Sequence, residues 1–448
     1  MKQLPDEVLQ FMKSIQDNGF DVYVVGGAVR NLLLDNPVHN WDFTTNATPE
    51  DIQKIFPNNF YHNVYGTVTV KSETHLFEIT PYRFEGAYKD MRHPEKVTWA
   101  KTIEEDLSRR DFTINAMALS QVQGNSTFEL IDLYEGKKDL DGRIVRTVGD
   151  PDMRFKEDAL RLIRAVRFAS QLGFMIESTT LASIQRNAGR IVHISWERIR
   201  DELLKIIASN FPSEGVLFLR TSGLLQYILP ELEACFSVSQ KSPKRHHIYD
   251  VGTHLVMALK SCPSSDVITR LATLLHDIGK VETYRKDPET GIITFHNHEV
   301  VGTQQVSRIA DRLKLSKEQK NKLITLVQHH QFTVSEDQTD KAVRRFIRDV
   351  GKEYIQDMLD VRTGDRIGSG ATPTSWRLDL FKKRIISVQQ EPFTVKDLKI
   401  NGHDVMSVLG ISPSKKVGDI LDNLFALVEE KKCENTREAL LTQLETYR

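Results

Sequence analysis

Residues 22 to 45, VYVVGGAVRNLLLDNPVHNWDFTT, constrain the fold more than any other stretch of this 448-residue chain. The apolar run Val22, Tyr23, Val24 and Val25 predicts a buried strand, Gly26 and Gly27 break it, and Ala28 to Leu34 has helical spacing with Leu32 and Leu33 inward. A glycine pair lets the backbone come close to a ligand. The helix that follows offers unpaired N–H groups and a positive dipole end, which suits a phosphate. Arg30 falls one turn in, within reach of the same anion. His39 to Phe43 predicts a second strand, on which Asn40 and Asp42 project from one face.

The rest of the chain reads as a head followed by helices, an α+β class. Residues 5 to 18 predict an amphipathic helix and Thr48-Pro49-Glu50-Asp51 the capped start of another, with strands at 66 to 71 and 75 to 81. From Pro151 the pattern is helical: Pro151 to Leu172, Thr179 to Asn187, Ser195 to Ala208. A polar segment, Ser237 to Arg245, precedes a histidine-rich helical region. A tail carries Asn401-Gly402-His403-Asp404 and a heptad-like stretch at Ile420 to Val428. The expected units are 1–148, 149–240, 241–385 and 386–448.

At 40% hydrophobic and 27% charged residues the chain can form several cores. Its formal net charge of −1 does not announce nucleic-acid binding, so any such binding rests on a local basic face. Cys235, Cys262 and Cys433 lie far apart and predict neither a disulfide framework nor a zinc site. No apolar stretch approaches a membrane span and the N-terminus is no signal peptide, so a cytoplasmic location and no membrane partner are expected.

The order Gly-Gly-x-Val-Arg, helix, then the position of a carboxylate-x-Asp pair on a strand resembles the class II tRNA nucleotidyltransferase and bacterial poly(A) polymerase family, within the DNA polymerase beta-like superfamily. There paired carboxylates hold catalytic magnesium. The resemblance implies that Asp42 and Glu78 supply two of them, while Asn40 stands where the family has Asp, and Asn31 where an Asp usually follows the Arg. Nucleotidyl transfer needs an activated 3′-hydroxyl, a neutralised α-phosphate and a stabilised leaving pyrophosphate, which two Mg2+ ions roughly 4 Å apart can supply. Asn40 removes a full charge from that place, so weakened metal binding and a reduced or abolished rate are expected.

Glu104 to Ala116 resembles the family's Arg-Arg-Asp motif, which implies that Arg110 meets phosphate, Asp111 a ribose hydroxyl, and Asn115 the same nucleotide. On spacing alone this segment is a helix whose last residues, Arg109 among them, complement its dipole. Asp158 and Arg161 fall three apart on a predicted helix face; the family's acid and Arg read the incoming base, whereas an exposed salt bridge is the plainer alternative. Arg164, Arg167 and Phe168 match the family's Arg-Ala-x-Arg-Phe run. Arg143, Arg146, Arg154 and Lys156 could form a basic strip for an RNA backbone. The polar loop Arg83 to Pro94 resembles the family's flexible loop and implies terminal A addition.

His254, His276-Asp277, His298, His329-His330 and Asp365 resemble the ligand order of HD-domain metal-dependent phosphohydrolases. Imidazoles and carboxylates from separate helices suit Mn, Fe, Ni, Co or Zn. The implied activity is hydrolysis of cyclic or terminal phosphates at an RNA end; His246 and His247 receive no role. Taken together, the resemblances imply template-independent addition of CCA from CTP and ATP to the tRNA 3′ end. The rivals are an A-adding enzyme or poly(A) polymerase, and an HD phosphohydrolase with an inactive head. A tail gripping the tRNA elbow, with Lys415 and Lys416 on phosphate, and a monomer or homodimer complete the expectation.

Overall fold

A computed structural model describes residues 4–62, 66–72, 75–85, 97–121, 128–240, 249–389, 395–430 and 432–448. Most of the polar loop Arg83 to Pro94, His246, His247 and much of the Ser237 to Arg245 segment lie outside the described residues.

The head is a mixed sheet. Its strands are β1 (Val22–Val25), β2 (Trp41–Thr45), β3 (Asn59–His62), β4 (Thr67–Lys71) and β5 (Leu76–Pro81), then a separate hairpin β6 (Arg83–Glu85) and β7 (Val97–Trp99), then β8 (Ala118–Gln121) and β9 (Phe128–Ile131). Seven of them form one sheet in the order β3-β4-β5-β2-β1-β8-β9. Only β2 and β5 run parallel, with Asp42 opposite Glu78; the other neighbours in that sheet are antiparallel. The helix Asp6–Gln16 buries Val8, Phe11, Met12 and Ile15, and the Phe11 ring lies 4.7 Å from those of Phe43 and Phe77. This aromatic packing holds one face of the sheet and leaves the ends of β1, β2 and β5 to the site.

Thr48 caps the helix Pro49–Ile55, as expected from the sequence, and Asp51 completes a reciprocal capping box with it. The predicted single helix from Pro151 to Leu172 is two: Pro151–Glu157 and Leu160–Leu172. Asp158 breaks it with φ −140 and ψ 108, and its Oδ1 accepts the Leu160 N–H at 3.0 Å. An Asp side chain that takes a backbone N–H competes with the helix ladder, which is why the break falls there.

One continuous apolar core runs from the head through the helices of residues 149–240, the neck, into the helical region around the histidines, and the tail has its own, built on Leu398, Ile400, Val405, Ile420, Leu424, Leu440 and Leu444. Among the described residues no helix is long and apolar enough to cross a membrane.

Candidate active site

A cavity of about 700 Å³ opens between head and neck. Gly26 forms its floor with φ +67 and ψ −131, a conformation suited to glycine. A side chain there would bring Cβ within 3.2 Å of Arg110 Nη1 and 3.7 Å of the Asp42 carboxylate. Asp42 and Glu78 project into the cavity from adjacent parallel strands. Burial, then the nearby Glu78 charge, pushes the Asp42 carboxyl up to about 6, against the pull of Arg110 and Arg30. Neither carboxylate is hydrogen-bonded or ion-paired within the described residues. Asn40 also lines the cavity, but at a bend: the predicted strand from His39 begins only at Trp41.

Cations share the cavity with them. Arg30 donates to the Asn115 side-chain oxygen at 2.6 Å and to Asn31 at 3.3 Å. Arg109 and Arg110 both pair with the fully buried Asp106, at 2.6 and 2.9 Å. Asp111 accepts from Arg164, from the Phe112 N–H at 2.9 Å and from Asn115 at 3.4 Å. Burial raises its pKa, but Arg164 and Arg161 outweigh burial and hold it at about 2. The carboxylate is thus already occupied, and a ribose hydroxyl there has to displace one donor. Arg30, Arg164 and Arg167 crowd the Phe168 ring, Arg167 closest at 4.1 Å.

Asp158 and Arg161 both line the cavity, though not as two positions on one helix face. Asp158 sits at the helix break, where Arg198 donates to its Oδ2 at 2.8 Å. Arg161 begins the next helix, is held by Glu157, and donates to the Arg109 carbonyl at 3.0 Å. Sequence reasoning missed two residues here, Asp106 and Arg198. Arg198 belongs to the helix Trp196–Ile207, whose apolar stripe of Ile199, Leu203 and Ile206 contains the buried Glu202. That misplaced acid, paired with Arg167 at 3.0 Å, was the available signal.

His276, His298 and His330, with Asp277 and Asp365, line a second cavity of about 490 Å³, and His254 abuts it through His276, with its Nε2 3.3 Å from that of His276. His254, His276 and Asp365 form one trio of candidate ligands, and Asp277, His298 and His330 another. Asp277 joins them: its Oδ1 lies 3.0 Å from His298 Nε2 and its Oδ2 3.3 Å from His276 Nε2. His276, His298 and His330 each place Nδ1 against a backbone carbonyl, of Thr273, Phe295 and Val327, at 2.6 to 2.8 Å. A carbonyl partner fixes the proton on Nδ1 and turns Nε2 inward as a ligand. Burial pulls the His276 pKa down, but Asp277 and Asp365 outweigh it and push it up to about 10. His276 is the C-cap of the helix Val267–Leu275, with Asp277 in the turn beyond, so the two ligands leave a helix end rather than a helix face. His329 joins neither trio; as the C-cap of Lys317–Gln328 it is half-buried and turned elsewhere.

Three family models match the chain: Poly A polymerase head domain over residues 22–146, RNA and SrmB-binding site of polymerase A over 173–236, and tRNA nucleotidyltransferase domain 2 over 290–444. The CCA-adding enzyme of Ligilactobacillus salivarius is 31% identical over 449 residues, covering 98% of this chain and 97% of its own length. Other relatives match over less: with the CCA-adding enzyme of Geobacillus thermodenitrificans identity is 42% over 229 residues, 51% of this chain, which spans about half the relative's length, 55%. The crystal structure of Bacillus stearothermophilus CCA-adding enzyme in complex with CTP has a TM-score of 0.76 at 28% identity, covering 100% of this chain and 98% of that one. Thermotoga maritima CCA-adding enzyme, solved with tRNA, shares the fold at a TM-score of 0.62 and 18% identity, covering 100% of this chain and 97% of that one.

Proposed function

Because the chain belongs to the family of CCA-adding enzymes and poly(A) polymerases, we propose that it adds C and A nucleotides from CTP and ATP to the 3′ end of tRNA without a nucleic-acid template. The observation that carries this reading is the convergence in one cavity of Asp42 and Glu78 from the head with Asp158 and Arg161 from the neck. Chemistry at the phosphates and recognition of the base then share one site.

Asp42 and Glu78 would hold Mg2+, which when bound neutralises the α-phosphate and the leaving pyrophosphate. The fit is physical: two adjacent carboxylates, without a cation in contact among the described residues, one of them already resisting ionisation. Asn40 contributes at most a neutral oxygen, so this site holds Mg2+ more weakly than three carboxylates would. Arg30 and Arg110 face the triphosphate. Asp158 accepts from the exocyclic amino group of C or A, and Arg161 donates to the neighbouring ring acceptor; U and G present the opposite pattern. The exposed Lys415 and Lys416 suit phosphates of the tRNA body.

The two histidine trios favour a second activity in the same chain: a transition-metal phosphohydrolase acting on RNA ends, with Mn, Fe, Ni, Co or Zn as the metal.

The test is incorporation of labelled CTP and ATP, with Mg2+, into tRNA transcripts ending before CCA, comparing this chain with Asn40→Asp. Activity confined to, or much higher in, the substituted chain supports both the assignment and the metal argument. Equal activity in both removes the metal argument, use of ATP alone favours an A-adding enzyme or poly(A) polymerase, and activity in neither transfers the function to the histidine cavity.

A further inference from the structure

The histidine cavity contains a cation that its metal chemistry does not use. Four imidazoles and two carboxylates make up the trios, and among the described residues two cationic side chains, Lys280 and Arg362, and a further carboxylate, Glu299, share the lining. Lys280 is spent. Its Nζ lies 2.6 Å from Asp277 Oδ2 and donates to Gln240 Oε1 at 2.8 Å, so it holds Asp277 in place.

Arg362 is different. It stands one turn before Asp365 on the helix Ile355–Gly368, and its nearest carboxylate contact is Asp365 Oδ2 at 3.7 Å, beyond hydrogen-bonding range. Its Nε is buried and has no hydrogen-bond partner among the described residues. The guanidinium is braced from behind, 5.4 Å from the centroid of Phe332, which packs with Phe346 and Phe381. A planar fork of donors, fixed by an aromatic ring and short of partners, is built to receive a tetrahedral anion.

We propose that Arg362 is the phosphate anchor of this cavity and that the cavity takes a terminal phosphate monoester, an inference that rests on the metal reading of the two trios. Charge decides between esters. Asp277, Asp365 and Glu299 carry one more charge than Lys280 and Arg362, a deficit that the divalent ions bound at the trios more than offset, so the loaded cavity is positive and a monoester dianion is attracted more than a monoanionic diester. Hydrolysis adds the oxygen of water to phosphorus, breaks the ester P–O bond, passes one of the water's protons to the departing alcohol oxygen and leaves the other on the released phosphate. Arg362 holds the non-bridging oxygens through that step and does not bind the metal.

The experiment loads the full chain with Mn2+, measures its metal content, and titrates it with inorganic phosphate by calorimetry, for the wild type, Arg362→Ala and Arg362→Lys. Turnover of p-nitrophenyl phosphate and bis(p-nitrophenyl) phosphate follows on the same samples. Expected are unchanged metal content in all three, phosphate affinity at least tenfold weaker in Arg362→Ala and partly recovered in Arg362→Lys, and a raised KM for the monoester. Equal phosphate affinity in a fully metallated Arg362→Ala overturns the anchor while the metal reading stands, and preference for the diester overturns the substrate class. A wild-type chain that takes up no Mn2+ removes the metal reading and this inference together. Circular dichroism of each variant separates loss of binding from loss of fold, and the Lys variant decides if the Ala variant does not fold.

Discussion

Arg198 Nη2 donates to Asp158 Oδ2 across 2.8 Å, joining the break between two neck helices to the first turn of a third. With the Leu160 N–H on the other oxygen, the carboxylate is fixed by two donors and presents its remaining lone pairs to the cavity. Arg198→Ala frees it to turn. The expected outcome is a loss of about tenfold in kcat/KM for CTP and ATP, the size of one charge-assisted hydrogen bond, with increased use of UTP and GTP. Incorporation measured nucleotide by nucleotide checks this, and unchanged selectivity would show that Asp158 is held without Arg198.

Asp42 makes the head sensitive to pH. Its pKa in the fold, about 6, lies above its ordinary value of 3.8 because of burial and Glu78. The neutral form therefore stabilises the fold: this contribution is complete below the ordinary value and is lost as pH rises through about 6. In the metal-free protein the loss is on the order of 2 to 3 kcal/mol by neutral pH. Mg2+ restores it above that range and has little effect below it. Thermal unfolding across this range, with and without Mg2+, for the wild type and Asp42→Asn isolates the term; the substituted chain should lose both dependences. A difference between the two proteins that stays flat with pH sinks the argument.

What the sequence made legible was local and periodic. Val22 to Asp42 could be read because an apolar run, a glycine pair and a helical spacing each signal themselves within a few residues. β3, β8 and β9 were not, being four-residue strands whose pairing partners lie elsewhere in the chain. The helix break at Asp158 was hidden because apolar spacing continues across it, while its cause is a side chain taking one backbone N–H. Arg198 was hidden because its contact spans 40 residues. The histidine order pointed to the cavity, yet could not choose between His329 and His330, since direction at a helix end is set by the turn that follows.

Gly279 carries no unusual backbone angle, yet no side chain fits there. A Cβ would stand 2.1 Å from the His298 carbonyl oxygen and 2.6 Å from the Gly302 nitrogen, so the turn after Asp277 lies directly on the helix His298–Arg312. Gly279→Ala has to push His298 away from Asp277. The expected cost is about 1 to 3 kcal/mol of stability, together with a loss of metal uptake. Gly418→Ala is the control: it meets nothing within 4 Å on the helix Lys415–Glu429 and should gain about 0.5 to 1 kcal/mol from helix propensity. Urea unfolding and metal analysis of both variants test the pair. Normal metal content in Gly279→Ala would mean that the turn and His298 can shift together.

The tail depends on a buried arginine. Arg344, 2% exposed on the helix Asp340–Val350, donates to the Glu429 carbonyl at 3.2 Å, at the C-terminal end of the tail helix Lys415–Glu429. A cation there satisfies an end carbonyl and meets the negative end of the helix dipole. Arg344→Met keeps most of the packed volume and removes the charge, at an expected cost of about 1.5 to 3 kcal/mol concentrated on tail docking. Because the tail has its own core, it should stay folded while its position loosens. If the tail grips the body of tRNA, KM for full-length tRNA rises severalfold with kcat unchanged, while a short acceptor-stem hairpin ending before CCA is extended as by the wild type. An equal rise in KM for tRNA and hairpin would place the defect in the nucleotide cavity and remove the tail from substrate binding.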